Sequence, residues 1–220
     1  MRGPRFGASY RRALLDAELA RLAAGLSGLA VDIGGKRVPR GGFRRPERGV
    51  RRWVLLNLAA AEGPDVVGSA EALPFRPASV DGILCSEVIQ YVDRYEDMLA
   101  EFRRVLVPGG RVLLSAPLLH RLDDATDRHR FSGSRLRELF LRAGFEVEAV
   151  TQQGCFFTTL ANMLRQAVAQ VRSRPLRAAA ALPALSAGAC LRLLDRLPSV
   201  GRSPFMSSYT TGYLVVARRP

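Results

Sequence analysis

Residues 65–117 leave this chain few folds to adopt. They read DVVGSAEALPF, RPAS, VDGILCSEVIQYV and DRYEDMLAEFRRVLVPGGRVLLSAP in direct succession. Residues 80–85 form a short apolar run rich in β-branched side chains, the pattern of a buried strand. Over residues 95–106, Met98, Leu99, Phe102, Val105 and Leu106 fall on one helical face, and Glu96, Asp97, Glu101, Arg103 and Arg104 on the other. Pro108-Gly109-Gly110 stops that helix and turns the chain into a strand at 111–115. Strand, helix, glycine turn and strand make a βαβ unit, which implies a parallel sheet.

The rest of the chain fits around this unit. Its 220 residues suffice for one α/β domain with a sizeable core and a modest extension. No apolar run approaches the length of a membrane-spanning helix, and residues 1–22 are broken by charges where a secretory signal would be apolar. Cys85, Cys155 and Cys190 are too few and too unevenly spaced for a disulfide framework or a zinc site, so the expectation is a reduced, cytoplasmic protein without a metal. The net charge is +13 and Lys36 is the only lysine. Such a surface attracts polyanions, whether RNA, an anionic membrane or a phosphorylated substrate. Aromatic residues make up only 7% and do not interleave with the arginines as stacking platforms would, which disfavours nucleic acid.

Residues 9–26 read as an amphipathic helix capped by Ser9, with Leu14, Leu15, Leu19, Leu22 and Leu26 near one face. Its cations Arg11, Arg12 and Arg21 read as a solvated face. Residues 29–33 and the pair Gly34-Gly35 are the first strand and its turn, and residues 53–58 the second strand. Residues 36–52 hold two prolines, three glycines, seven arginines and Lys36, so a loop is expected there, not a good helix. Residues 65–67 give a short third strand. Past the fifth strand, Ser132 or Ser134 caps a helix that ends at Gly144, and residues 145–150 alternate as a sixth strand.

The phrase ALPF…VDGILCSEVIQYV…EFRRVLVPGGRVLLS resembles the second half of a class I S-adenosylmethionine (SAM) dependent methyltransferase domain, and the match runs over residues 29–150. It implies a doubly wound, mostly parallel Rossmann-like sheet in a single domain over 1–220, with an N-terminal helix within 1–28. It also implies SAM as cofactor. On that resemblance Asp32, Gly34 and Gly35 form the glycine turn, where the aspartate would organise the loop and the methionine ammonium. The third glycine slot holds Lys36. Asn57 occupies the place of the acid that bridges the ribose hydroxyls, and Ser69, with Ala70 beside it, the place of an aspartate facing adenine. Ser86 closes the fourth strand against the cofactor, while Glu87 and Tyr91 point towards the methyl acceptor.

His120 and His129 stand in the loop after the fifth strand with Asp123, Asp124, Asp127, Arg128 and Arg130. A histidine there suits proton removal from an acceptor hydroxyl, and loop hydrogen bonding is the alternative. Residues 209–217 look like the last strand, so 152–199 is a helical insertion before it. The insertion reads as one helix over 156–172 and an apolar stretch over 177–192 that Pro183 breaks, too short to span a bilayer. A cap over the acceptor pocket, a dimer surface and peripheral membrane contact all remain open for it. The expected function is SAM-dependent methyl transfer to a small molecule or a glycan- or lipid-linked intermediate. A methyltransferase-fold binding protein without activity and an RNA methyltransferase are the alternatives.

Overall fold

A computed structural model describes residues 9–38, 41–122 and 125–220. Seven strands form one sheet: β1 (Gly28–Ile33), β2 (Val50–Asn57), β3 (Val66–Val67), β4 (Val80–Ser86), β5 (Leu106–Pro117), β6 (Glu146–Gln152) and β7 (Gly212–Arg218). The order is β3-β2-β1-β4-β5-β7-β6. The first five run parallel, and β7 is antiparallel to both β5 and β6. The order reverses between β1 and β4, and a crevice opens there beyond the carboxyl ends of the strands.

Period-two alternation splits the core between the two faces of the sheet. Ile83 and Cys85 of β4, with Val112 and Leu114 of β5, pack under α2 (Tyr95–Val105) and α3 (Gly133–Arg142). Those helices bring Met98, Leu99, Phe102, Leu136 and Phe140 to the cluster. Leu84, Leu113 and Leu214 face the other way, against Leu15, Leu19, Ala23 and Leu26 of the N-terminal segment. Helix α1 (Tyr10–Ala23) thus covers a face that a helix between β1 and β2 would otherwise share. Burying Leu15 and Leu19 contributes about 2 kcal/mol each. Ser9 caps α1 and Ser132 caps α3, each accepting a backbone N–H three residues on.

Three expectations change. Pro108-Gly109-Gly110 does not precede the fifth strand but bulges within it, since Val80 faces Leu106 and Gly82 faces Arg111. The insertion forms α4 (Phe156–Ala169) and α5 (Arg174–Leu194), followed by the short helices α6 (Pro198–Arg202) and α7 (Pro204–Ser207). Helix α5 runs unbroken through Pro183 for 21 residues, long and apolar enough by composition to cross a membrane. Pro183 lies on its exposed side, away from the packed face, where the lost i−4 hydrogen bond is least costly.

The third change concerns the cations of α1. Arg11 is 4% exposed: its Nε donates to the Thr211 carbonyl and its guanidinium pairs with Glu87. Arg12 pairs with Asp16 on the next turn. Only Arg21 behaves as a surface cation, paired with Glu18.

Candidate active site

The site is built from the carboxyl ends of β1, β2 and β4. Gly34 leaves β1 at φ +72°, and a Cβ there would stand 2.5 Å from Val88 Cγ2. No other residue fits that turn without moving the β4 exit. Asn57 fixes it from the side. Its Nδ2 donates to the carbonyls of Gly34 and Gly35, both at 3.1 Å, and its Oδ1 accepts from Ala59 N.

Asp32 sits beneath the turn, 7% exposed, with Oδ2 2.7 Å from Arg45 Nη1. Burial pushes its carboxyl up to about 6, and the hydrogen bond and charge of Arg45 only partly oppose that rise. Arg45 also donates to the Lys36 carbonyl. The arginine-rich loop is therefore folded inward, not simply solvated. Gly42 N donates to Asp16 Oδ2, Phe43 is buried among the α1 leucines, and Trp53 Nε1 donates to the Pro46 carbonyl. Residues 39 and 40 of this loop lie outside the described residues.

Glu87 follows β4 at φ +61°, an uncommon backbone for a non-glycine residue and one that clusters at functional sites. Its carboxylate accepts from Ser115 Oγ at 2.9 Å and pairs with Arg11. Its N–H reaches the Ser115 carbonyl. Ser86 Oγ lies 3.2 Å from the same Ser115 hydroxyl. Cys85 beneath them is fully buried, and desolvation with the charges of Asp32 and Glu87 pushes its thiol far above the ordinary range. It is no nucleophile.

Two cavities meet at this end of the sheet. The larger, about 590 Å³, is lined by Asn57, Ser69, Ala70 and Tyr91, together with Glu62, Glu71 and Asp93. The smaller, about 140 Å³, is lined by Asp32, Gly35 and Ser86, with Arg12 and Arg45 on its walls. Gly34, Lys36, Glu87 and Val88 border both. Every residue assigned from the resemblance to the cofactor or to the acceptor side thus lines one cavity or the other. The histidines do not join them. His120 lines a third cavity, of about 330 Å³, with Leu118, Leu119, Arg121, Met163 and Gln166. His129 packs edge-on against Tyr95 and beside Phe131, with ring centroids 5.2 and 5.9 Å apart. Asp127 pairs with Arg130, and Asp123 and Asp124 lie outside the described residues.

The donor set fits SAM. One cavity offers carboxylates for an ammonium and guanidinium groups for a carboxylate; the other is roomy and flanked by amide, hydroxyl and acidic side chains suited to a nucleoside. Sequence reasoning missed two contributors. Arg11 stands four and eight residues before Leu15 and Leu19, on the buried stripe of α1, and that spacing was its signal. Glu62 lies five residues past Asn57 in a short 3-10 turn, where it pairs with Lys36 and lines the larger cavity.

A family model described as "Methyltransferase domain" matches residues 18–114, from the end of α1 through the glycine turn to most of β5. Over these residues the chain carries a methyltransferase domain of the class I, SAM-dependent kind. An uncharacterized 37.1 kDa transposon protein of Streptomyces fradiae is 30% identical over 179 residues, 74% of this chain and 49% of its own length. A malonyl-[acyl-carrier protein] O-methyltransferase of Methylococcus capsulatus is 46% identical over 50 residues, 23% of this chain and 18% of its own. The chain spans about half or less of the length of the curated relatives it matches. The crystal structure of a SAM-dependent methyltransferase from Archaeoglobus fulgidus superposes with a TM-score of 0.57 at 14% identity, over 94% of each chain. That likeness establishes the class I methyltransferase fold.

Proposed function

We propose that this protein transfers the methyl group of SAM to a small molecule or to a glycan- or lipid-linked acceptor. The joined cavities over the Gly34 turn carry the reading, because they supply one continuous groove with matched chemistry at each end. Asp32 and Glu87 take the ammonium side, and Arg12 and Arg45 the carboxylate side. Glu62 serves the ribose in place of an acid at Asn57, and Ser69 and Ala70 frame the adenine. SAM supplies an electrophilic methyl on its sulfonium, open to in-line attack by the acceptor. The chain's part is then largely positioning and exclusion of water. The cavity of Leu118, Leu119, His120 and Met163 suits an apolar portion of the acceptor, while Glu87 and Tyr91, which line the larger cavity, face its reacting end.

Calorimetric titration of the purified chain with SAM tests the reading. Saturable binding that Glu62→Gln and Asp32→Ala each weaken by tenfold or so is the expected result. Absence of saturable heat at about 1 mM ligand would overturn it.

A further inference from the structure

Helices α4 and α5 form a hairpin whose inner side is packed and whose outer side is apolar. Inward, α5 packs along α4, with Ala184 buried, and brings Gly188 to Tyr10 of α1. A Cβ at Gly188 would lie 2.6 Å from Tyr10 Oη, and Arg165 and Arg192 stack over the same ring at 5.1 and 4.7 Å. This closeness holds α5 along the body of the protein. Outward, the side chains are of another kind. Leu160, Met163 and Leu164 of α4 and Leu176, Leu182 and Leu193 of α5 are all exposed, Leu182 at 74% and Leu176 at 65%. No charged residue occurs from Ala178 to Leu191.

The charge around this face has one sign. Residues 151–210 hold seven arginines and one acid, Asp195. Asp195 is turned inward, accepting from the backbone N–H groups of Cys155, Phe157 and Thr158 at the start of α4. Arg172 and Arg174 are exposed at the turn between the helices, and Arg196 and Arg202 beyond the far end of α5. An apolar face bracketed by arginines with no outward acid is mismatched to a copy of itself, since association would set cations against cations. It is matched to a surface of apolar chains beneath anionic headgroups.

We infer that the outward face of the α4–α5 hairpin docks in the headgroup region of an anionic lipid bilayer, with α5 lying in the membrane plane. Its 21 residues extend about 30 Å along that plane. Its packing along α4 and the approach of Gly188 to Tyr10 hold it against the body of the protein in that plane. Met163 belongs both to this face and to the cavity of His120, so docking would bring that cavity to the lipid surface. That last point alone rests on the proposed methyl transfer; the docking does not.

The test is co-sedimentation of the full chain, without SAM, with vesicles of phosphatidylcholine alone or mixed with phosphatidylglycerol. The chain should pellet with the mixed vesicles and stay largely in solution with the neutral ones. Leu182→Ser with Leu193→Ser should weaken pelleting at least tenfold or so. Arg172→Gln and Arg174→Gln should weaken it about fivefold each. Because these side chains are exposed, the variants should keep the wild-type melting temperature. Equal recovery from both vesicle types, or mixed-vesicle binding indifferent to the leucine changes, would overturn the inference. So would a concentration-dependent dimer in sedimentation velocity that the leucine changes dissolve, since a second copy would then occupy the face.

Discussion

Asp32 offers the sharpest test of how the cofactor end operates. Its carboxyl titrates near 6 because it is buried beneath the glycine turn. If the cofactor's ammonium needs the ionised form, affinity must follow the ionised fraction. That fraction is close to one at pH 7.5 and about a tenth at pH 5, so the affinity should fall about tenfold, or ~1.4 kcal/mol. The ligand's own amino group gains protons over this range and works the other way, by less than about twofold. Calorimetry with S-adenosylhomocysteine at the two pH values reads the difference without turnover. Asp32→Asn should bind weakly at both and show no slope. Its folding should not suffer. A carboxyl whose folded value lies above the unfolded 3.8 destabilises the fold once ionised; this cost is absent below 3.8, grows between 3.8 and 6, and stays near 3 kcal/mol above 6. Asn carries no such cost, so the variant should melt no lower than the wild type at pH 7.5. A wild-type affinity that stays flat between pH 7.5 and 5, with an unchanged circular dichroism spectrum, would refute the role given to this carboxylate.

Arg11→Met should destabilise the fold by about 3 kcal/mol in urea denaturation, because Glu87 would keep its charge in a half-buried place with only Ser115 to receive it. Adding Glu87→Gln should recover much of that loss. Asp195→Ala frees three backbone donors in the first turn of α4 and should cost about 1–2 kcal/mol. Hydrogen exchange should then speed up at Phe157 and Thr158 while the β4 amides stay protected.

The central strands β1, β2, β4, β5 and β7 were legible because each buries a short apolar run, and α2 because its two faces differ so sharply in polarity. The glycine turn and the β4 exit could be located from residues 32–35 and 85–87, since only a few side chains suit those backbones. Arg11 was misread as solvated because a charged residue near a helix start usually is; its partner Glu87 lies 76 positions away, and local pattern does not reach that far. Helix α5 was misread because proline usually ends a helix, whereas here packing along α4, with Gly188 against Tyr10, holds the segment together. The inward fold of residues 36–52 was not visible either, since Arg45 finds Asp32 only once β1 is in place.

The departures at Lys36 and Asn57 gain meaning together. A carboxylate at position 57 could not bond the carbonyls of Gly34 and Gly35, because it has no proton to give. The amide gives both of its protons there and so holds the turn that lets backbone approach a ligand. What the amide cannot do is supply negative charge to the neighbouring groove. Glu62 does, from five residues further on, and Lys36 in the third glycine slot is the cation that pairs with it. The two departures at Lys36 and Asn57 thus each meet a partner near the glycine turn. The loop is braced by an amide, an acid stands five residues further along the chain, and a lysine pairs that acid with the loop. Lys36, Asn57 and Glu62 therefore act as one unit, and replacing any of them singly by the residue usual in the family would disturb the other two.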